Sequence, residues 1–352
     1  MKIVLQIDGG GIRGVTPAMV LAALETRLKE HNPEFRLRDM LSLCCGTSTG
    51  AIMAAMVCAG VDAKDIQQFY EVDGVDLFQN GKNPWFTRLI KAKYKRPLFV
   101  DKFEQILAES SVLAKASTTL GDLPSRLVFM ATAYNLSSYR THFIKSDDKD
   151  DKVRFLKDVI AWSGLSAAYF FGKINVPNYS WVFSDSGTPA KTGEREGAIF
   201  QDGGQGSQNC TLGFALTEIL ARGWDNEKVI IISLGTGTKT SVENYKDASK
   251  TSEIGQAIKY LLNQARKESA PVQILAARYI ELSRPNIKTF RLDYESDKDY
   301  SLDDCKSMDY YKEQARNIIR SNVFDNLAAN ISSEHWCLPT DPARVGISTF
   351  GG

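Results

Sequence analysis

The chain has 352 residues, of which 43% are hydrophobic and 24% charged, proportions that are ordinary for a soluble globular protein. Its formal net charge of +1 argues against a partner that is a nucleic-acid polymer, because no overall positive field would attract a phosphate backbone. Six scattered cysteines show neither a CxxC pair nor zinc-type spacing, so they favour a reducing compartment. Because the apolar run at residues 3–7 follows Met1-Lys2 directly, we expect no signal peptide. We therefore expect a cytoplasmic protein, or one bound peripherally to the inner face of the membrane.

Strands and helices alternate along the first two-thirds of the chain. The predicted elements are strand 2–8, helix 16–29, strand 39–45, helix 50–59, helix 62–69, helix 100–109, strand 126–134, helix and turn 157–172, strand 197–201, helix 212–222 and strand 227–234. This alternation predicts an α/β fold, a three-layer α/β/α sandwich with a mainly parallel central sheet.

The sequence becomes more polar and helix-forming from about residue 239. Helices are predicted at 252–282 and 310–330, with a strand at 287–293 between them. We therefore predict a core at residues 1–238 and a mostly helical C-terminal region, residues 239–352, that packs on it.

Residues 41–61 carry no charge and are long enough to span a bilayer, but Gly, Ser, Thr and Cys fill their first half. A strand, a turn and a helix explain that segment better.

The turn GTSTG places Ser48 between a predicted buried strand and a helix of small residues. This is the setting of a nucleophile elbow, in which Gly46 and Gly50 permit tight packing around a strained serine. At a helix N-terminus, the positive end of the helix dipole would favour a developing alkoxide. A plain structural turn is the alternative interpretation.

The glycine-rich segment GGGIRG follows the first predicted strand. Its spacing also matches the GxGxxG of dinucleotide-binding folds, but the next strand ends in Cys44-Cys45 rather than in the acidic residue which those folds need. Backbone N–H groups without side chains can instead approach a developing oxyanion closely. The expected oxyanion hole comprises Gly9, Gly10, Gly11 and Arg13, with Gly10 and Gly11 as the best donors and Arg13 fixing the loop or adding charge.

A third motif, QDGGQG at 201–206, supplies the carboxylate of Asp202, which could deprotonate Ser48. By itself, DGG is also an ordinary turn. In wording, order and spacing, the three motifs resemble those of the patatin-like phospholipases, from about residue 2 to residue 237. The resemblance implies that Ser48 is the nucleophile and Asp202 the base of a catalytic dyad. The remaining glycines of the three motifs are Gly14, Gly46, Gly50, Gly203 and Gly204.

The resemblance further implies a serine carboxylic-ester hydrolase, a phospholipase A or lysophospholipase, that requires no cofactor and no metal. The expected substrate is a phospholipid or another acyl lipid at a membrane surface. Some bacterial members of the family are switched on by cyclic nucleotides in antiviral defence, so a cyclic-nucleotide activator and that role are further expectations. Assembly into an oligomer stays open.

The sequence leaves open two alternatives to the dyad hydrolase and the role of one basic and aromatic segment. Ser48, Asp202 and His335 occur in the order of an α/β-hydrolase triad, although the early glycine loop favours the dyad. A non-catalytic binding protein on the same fold is the second alternative, against which the three intact motifs argue. Residues 82–100 interleave basic and aromatic side chains, a pattern typical of an interfacial lipid-binding segment and also of a packed surface helix.

Overall fold

The computed structural model describes residues 1–30, 32–84, 91–115, 117–184, 192–205, 208–239, 252, 269–296, 298 and 300–335. The strands are β1 (Lys2–Ile7), β2 (Leu43–Gly46), β3 (Val128–Asn135), β4 (Arg140–Lys145), β5 (Ile174–Ser184), β6 (Thr192–Asp202), β7 (Val229–Leu234), β8 (Thr238–Lys239), β9 (Ile287–Leu292) and β10 (Glu295–Ser296). The helices are α1 (Val15–Lys29), α2 (Leu37–Met40), α3 (Thr49–Ala59), α4 (Ala63–Gln68), α5 (Gly74–Asn80), α6 (Arg96–Ser110), α7 (Leu156–Gly164), α8 (Leu212–Ala221), α9 (Ser269–Ser283), α10 (Met308–Ile319) and α11 (Asn322–His335).

Eight strands form one mixed sheet in the order β5-β6-β3-β2-β1-β7-β9, with β4 also paired to β3. The five strands from β3 to β9 run parallel, whereas β4 and β6 are antiparallel to β3, and β5 is antiparallel to β6. The short strands β8 and β10 form a separate parallel pair. The predicted α/β fold with a mainly parallel central sheet is confirmed.

Two strands share one edge of β3 and approach each other head-on. β2 pairs with Val128–Ala131, and β6 pairs antiparallel with Ala133–Asn135, while β4 occupies the opposite edge along Met130–Asn135. The carboxyl end of β2 therefore points at the carboxyl end of β6, with Thr132 between them. This arrangement brings together two motifs that are far apart in the sequence.

Alternate residues of the strands face two separate apolar layers. Ile3, Leu5 and Ile7 of β1 pack in a large cluster with α1, α3, α7, α10 and α11. Val4 of the same strand packs on the other face, in a smaller cluster with α8 and α9. Helices thus cover both faces of the sheet around its central strands, because strands such as β1 and β7 are buried on both sides.

The described part of the C-terminal region contributes to all three layers. β9 pairs parallel with β7 along its whole length, α9 packs on α8, and α10 packs on α1. The predicted strand at 287–293 therefore exists, and it extends the central sheet. The division of the chain at residue 238 stays a prediction.

Local polar contacts change two predicted elements. The expected strand at 39–45 begins only at Leu43, because Asp39 Oδ2 accepts a hydrogen bond of 3.0 Å from Arg36 N and starts α2 instead. The single last helix is divided in two at Ser321, whose hydroxyl donates to Ile318 O at 2.6 Å and accepts from Phe324 N at 3.3 Å. The antiparallel strands β4 and β5 are absent from the sequence prediction.

The uncharged stretch 41–61 forms β2, the GTSTG turn and α3, as the composition predicts. Among the residues that the structure describes, no helix is both long enough and apolar enough to cross a membrane.

Candidate active site

Ser48 lies on a strained turn between β2 and α3. Its backbone angles are φ 56° and ψ −128°, a conformation that side-chain-bearing residues rarely adopt. Neighbouring glycines make this turn fit: a Cβ at Gly46 would overlap the backbone of Gly50, and a Cβ at Gly50 would overlap the Ile7 carbonyl oxygen. The serine is 9% exposed and immediately precedes the first residue of α3. This geometry is that of a nucleophile elbow.

The glycine-rich loop approaches Ser48 from β1. Gly9 N donates to Asn209 O at 3.0 Å, so this N–H group is already used. Gly9 O accepts from Thr236 Oγ1 at 2.7 Å and from Asn209 Nδ2 at 3.1 Å. Within the described residues, the N–H groups of Gly10 and Gly11 have no hydrogen-bond acceptor. Those two groups remain able to bind an oxyanion.

Arg13 holds the backbone of the glycine-rich loop and also adds a positive charge there. Its Nε donates to Gly10 O at 3.2 Å, and its backbone N–H donates to the same oxygen at 3.3 Å. Gly11 adopts φ 59°, and a Cβ there would overlap the carbonyl oxygen of Leu302. A Cβ at Gly14 would lie 2.6 Å from the ring of Tyr70. Glycine is thus required at both positions by close approach.

Asp202 is the last residue of β6 and is 4% exposed. It pairs with Ala133 of β3, while Gly46 pairs with Ala131. Two residues of β3, about 7 Å of strand, therefore separate the register positions of Asp202 and Gly46. Asp202 Oδ1 accepts a hydrogen bond of 2.9 Å from Gly204 N. The strand pairing brings the predicted base to the end of the strand that carries the predicted nucleophile.

Thr132 joins the serine turn to the DGG turn, a role that sequence reasoning missed. Its hydroxyl is hydrogen-bonded to Thr47 Oγ1. A Cβ at Gly203 would overlap the same Thr132 hydroxyl, so the DGG turn packs directly on this side chain. Thr47 Oγ1 also donates to Gln208 O at 2.7 Å. A buried threonine within an otherwise apolar strand is the signal that could have identified this residue.

Asn209 is a second residue that sequence reasoning did not single out. Besides its two hydrogen bonds to Gly9, its Oδ1 would lie 2.5 Å from a Cβ at Gly9 and 2.9 Å from one at Gly204. The same Cβ at Gly9 would lie 3.0 Å from Ser48 Cβ, and that at Gly204 would lie 3.2 Å from Asp202 Oδ1. Asn209 therefore fills the space between the glycine loop and the DGG turn, beside both predicted catalytic residues.

An apolar pocket, partly open to solvent, adjoins Ser48. Its aromatic walls come from the segment 69–78, from α6 and from the turn after α7: Phe69, Tyr70, Phe78, Phe99, Phe170 and Phe171. Tyr70 Oη donates to Thr49 O at 2.9 Å, and burial raises the pKa of Tyr70 above its usual value, so the hydroxyl stays protonated. The pocket thus offers an apolar surface beside the serine hydroxyl.

His142, whose side chain the structure describes, shows no role in this arrangement. His142 lies on β4 against the rings of Trp181 and Phe200, and burial lowers its pKa to about 4. His335 is the last residue of α11, and its side chain lies outside the described residues, as does His31. The triad with His335 therefore stays a prediction. Among the described residues, no group of three or more His, Cys, Asp or Glu could hold a metal ion.

The basic and aromatic segment 82–100 is only partly solvated. Lys91 and Lys95 are exposed, whereas Lys93 forms an ion pair with Asp303. Arg96 donates from Nε to Leu165 O at 2.7 Å and from Nη2 to Phe171 O at 2.8 Å. Residues 85–90, including Arg88, lie outside the described residues. A role of this segment at a lipid interface stays a prediction.

Comparison with known proteins finds relatives of this chain among plant proteins. Two proteins of Solanum tuberosum, Patatin-2-Kuras 3 and Patatin-T5, are each 26% identical, over 272 and 287 residues. The alignments cover 72% and 77% of this chain, which spans 65% and 69% of the length of these relatives.

Among solved structures, VipD from Legionella pneumophila is similar over 92% of this chain and 67% of its own, with 14% identity and a TM-score of 0.42. The type III effector protein ExoU is similar over 93% and 53%, with 12% identity and a TM-score of 0.38. TM-scores this low carry no weight for fold or function. A family model described as patatin-like phospholipase, in contrast, matches residues 5–214, a span that includes the glycine loop, the Ser48 turn and the DGG turn. Because the match covers more than half of the chain, this chain belongs to the patatin-like phospholipase family.

Proposed function

We propose that the protein is a lipid acyl hydrolase of the phospholipase A or lysophospholipase type, which uses a dyad of Ser48 and Asp202. The observation that carries the proposal is the strained Ser48 turn beside an apolar, aromatic-walled pocket. A pocket of this kind suits an acyl chain, because each methylene group of the chain that is buried there stabilises the complex by about 0.8 kcal/mol. Family membership supports the same reaction class.

The proposed reaction begins with attack of Ser48 Oγ on the ester carbonyl carbon, while Asp202 accepts the hydroxyl proton. The N–H groups of Gly10 and Gly11 donate to the oxyanion of the tetrahedral intermediate. Collapse of the intermediate expels the alcohol, which takes the proton from Asp202. Water then attacks the acyl-enzyme as Asp202 again accepts a proton, and the fatty acid leaves as Ser48 Oγ recovers its hydrogen.

Labelling with a fluorophosphonate, followed by mass mapping of the adduct, tests the nucleophile. We expect an adduct on Ser48 in the native protein and none in Ser48→Ala.

We expect Asp202→Asn to lower kcat on a phospholipid by on the order of 100- to 10,000-fold, the usual contribution of a general base. Near-normal turnover by a folded Asp202→Asn enzyme would exclude the dyad. A His335→Ala enzyme that retains activity would exclude the triad.

We also propose that a cyclic nucleotide activates the protein and that it acts in antiviral defence. Its support is the resemblance to bacterial members of the family that respond to such messengers. The test compares phospholipid hydrolysis by the purified protein with and without a panel of cyclic mono- and dinucleotides. Equal rates throughout the panel would contradict this part and leave the hydrolase proposal standing.

A cytoplasmic location, with peripheral binding to the inner membrane face, completes the proposal. The five described cysteines are free, and four of them are buried, which suits a reducing compartment. Cell fractionation provides the test. Recovery of the protein from an oxidising compartment would contradict this location.

A further inference from the structure

Lys93, Tyr94 and Asp303 form a charged contact, here named the clasp, beside the apolar pocket. Lys93 Nζ and Tyr94 Oη both donate to Oδ2 of Asp303. Ser301 Oγ donates to Asp303 Oδ1 at 2.6 Å. The side chain of Asp303 is 9% exposed and that of Lys93 is 19% exposed. A carboxylate of the chain itself therefore occupies a site made of an ammonium group and a phenol hydroxyl.

The clasp touches the walls of the pocket. Lys93 Nζ lies 5.6 Å from the centre of the Phe170 ring, and the Tyr94 ring packs on Phe78 and Phe99 with centroid distances of 5.1 and 6.1 Å. These three phenylalanines line the pocket that adjoins Ser48. The anion-holding groups and the proposed acyl site are thus immediate neighbours.

Residues 300–304, here named the cover segment, connect the clasp to the glycine loop. Leu302 precedes Asp303 and lines the same pocket. Its carbonyl oxygen accepts a hydrogen bond of 2.8 Å from Ile12 N and lies against Gly11. The cover segment is therefore attached on one side to the loop beside Ser48 and on the other side to Lys93 and Tyr94.

Asp303 is ionised in this setting. Burial raises its pKa, but the hydrogen bonds from Lys93, Ser301 and Tyr94 outweigh burial, and the net pKa lies below its usual value. Phosphate oxygens accept hydrogen bonds from the same donors and carry at least as much charge. An anion from solution can thus compete with Asp303 for Lys93 and Tyr94.

We propose that Lys93 and Tyr94 form a phosphate-binding site, which Asp303 occupies until a phosphate group replaces it. Replacement frees Asp303 and, with it, Leu302, so that phosphate binding widens access to the pocket. The consequence for hydrolysis rests on the proposed function, whereas the binding itself needs no reactive serine. The phosphate can belong to a lipid headgroup or be free in solution.

Binding is measured first, on the full chain carrying Ser48→Ala, by sedimentation with vesicles of ether-linked phosphatidylcholine with and without ether-linked phosphatidic acid. We expect Asp303→Asn to bind the phosphatidic-acid vesicles about fivefold more tightly. The substitution removes the carboxylate that competes with phosphate for Lys93, and a partly buried ion pair contributes about a factor of five to affinity. We expect Lys93→Met to bind them about fivefold more weakly.

Two exposed residues provide matched controls for the change of charge. Asp309→Asn removes a carboxylate from α10, and Lys64→Met removes an ammonium from α4, outside the segment 82–100. We expect each to alter vesicle binding less than about twofold, as for isolated surface charges. If Asp303→Asn binds like Asp309→Asn and Lys93→Met binds like Lys64→Met, the phosphate site is wrong.

The second measurement uses the protein with Ser48 intact and p-nitrophenyl butyrate, a soluble ester without phosphate. We expect Asp303→Asn to hydrolyse it several-fold faster than the native chain and to gain nothing from added phosphate. Stimulation of the native chain by inorganic phosphate identifies the free ion as a sufficient ligand, and stimulation only by phosphatidic-acid vesicles identifies the headgroup. No stimulation by either, with Asp303→Asn and the native chain equally active, contradicts opening of the pocket. Loss of all hydrolysis together with the expected binding order would refute the proposed function and leave the phosphate site intact.

Discussion

The turn at Ser48 leaves little conformational freedom to its individual residues. Its positive φ costs about 1–3 kcal/mol, which surrounding contacts must offset. Gly50 contributes by letting the start of α3 lie directly on the end of β1, where backbone atoms of Ile7 and Asp8 would meet any Cβ. A backbone neighbour cannot rotate away as a flexible side chain can. Gly50 is therefore required by this close contact with backbone.

Replacement of Gly50 by alanine tests this contact. We expect Gly50→Ala to lower the free energy of unfolding by about 2–4 kcal/mol, because backbone must move to admit the methyl group. Gly213→Ala is the matched control: the contacts given for its Cβ are all with the side chain of Gln273, the nearest at 3.4 Å from Oε1. There we expect no loss, or a gain of about 0.5–1 kcal/mol from helix propensity in α8. Denaturant unfolding measures both, and equal losses would contradict the explanation.

Asn209 holds Gly9 by two hydrogen bonds, so we expect it to act as a positioning residue. We expect Asn209→Ala to lower kcat on a soluble ester by roughly 10-fold, since the loop that carries the proposed oxyanion donors loses one restraint. Thr236 still holds the Gly9 carbonyl, so we expect KM and the unfolding midpoint to change little. Steady-state kinetics separate the two parameters. A rise in KM at constant kcat would place Asn209 in substrate binding instead.

His142 links stability to pH through its aromatic surroundings. Its pKa is about 4 in the folded chain and 6.5 as the ordinary value, so the folded state favours the neutral ring. As pH falls from 6.5 towards 4, the unfolded chain gains a proton that the folded chain does not, and stability is lost. We expect His142→Phe to reduce the loss of unfolding free energy between about pH 7 and about pH 5 by about 1–2 kcal/mol. Identical pH profiles for both proteins would show that His142 titrates normally.

At the scale of elements, β9 supplies the buried charge that holds the end of β1. Arg291 Nη2 donates to Asp8 Oδ2 and to Asp293 Oδ2, each at 2.6 Å. Burial opposes the charge of Arg291, but the two carboxylates outweigh burial, and the net pKa of Arg291 rises above its usual value. Asp8 directly precedes the glycine loop, so this network secures the base of that loop from the C-terminal region.

Removal of the arginine leaves two carboxylates facing each other without their counter-ion. We expect Arg291→Met to cost about 3–5 kcal/mol of unfolding free energy, the usual effect of breaking a buried pair by one partner. Arg278→Met provides the comparison, because Arg278 is exposed and pairs with Glu281 on the surface of α9. There we expect a change below about 1 kcal/mol. Similar losses at both positions, measured by denaturant unfolding, would contradict a special role for β9.

The sequence predicts the elements of the parallel sheet better than those of the antiparallel extension. Continuous apolar runs such as Val229–Leu234 identify a strand buried on both faces. β4 and β5, in contrast, mix polar and aromatic residues, and His142 and Trp181 find partners only when the two strands come together with β6. Local propensity cannot reveal such pairing, because its stabilisation comes from cross-strand neighbours. Thr132 and Asn209 were missed for the same reason, since both act between distant segments.

At the scale of the whole molecule, the described C-terminal elements complete the sandwich. Without them, the edge of β7 and the apolar face formed by Val229 and Ile231 would be open to water. A chain of residues 1–238 would also leave Asp8 buried without Arg291. We expect this shortened chain to aggregate or to unfold without a cooperative transition, whereas the full chain unfolds in one step. Calorimetry compares the two, and a cooperative transition in the short chain would establish residues 1–238 as an independent domain.

The alignment of Ser48 with Asp202 depends on the edge of β3, from which both β2 and β6 take their register. The turn between α7 and β5 forms no part of that pairing. Phe170 and Phe171, which wall the pocket, lie within this turn. This part of the pocket lining can thus be exchanged, lengthened or reshaped without realigning Ser48 and Asp202. In such a design, diversification of substrates and conservation of chemistry reside in different parts of the same polypeptide.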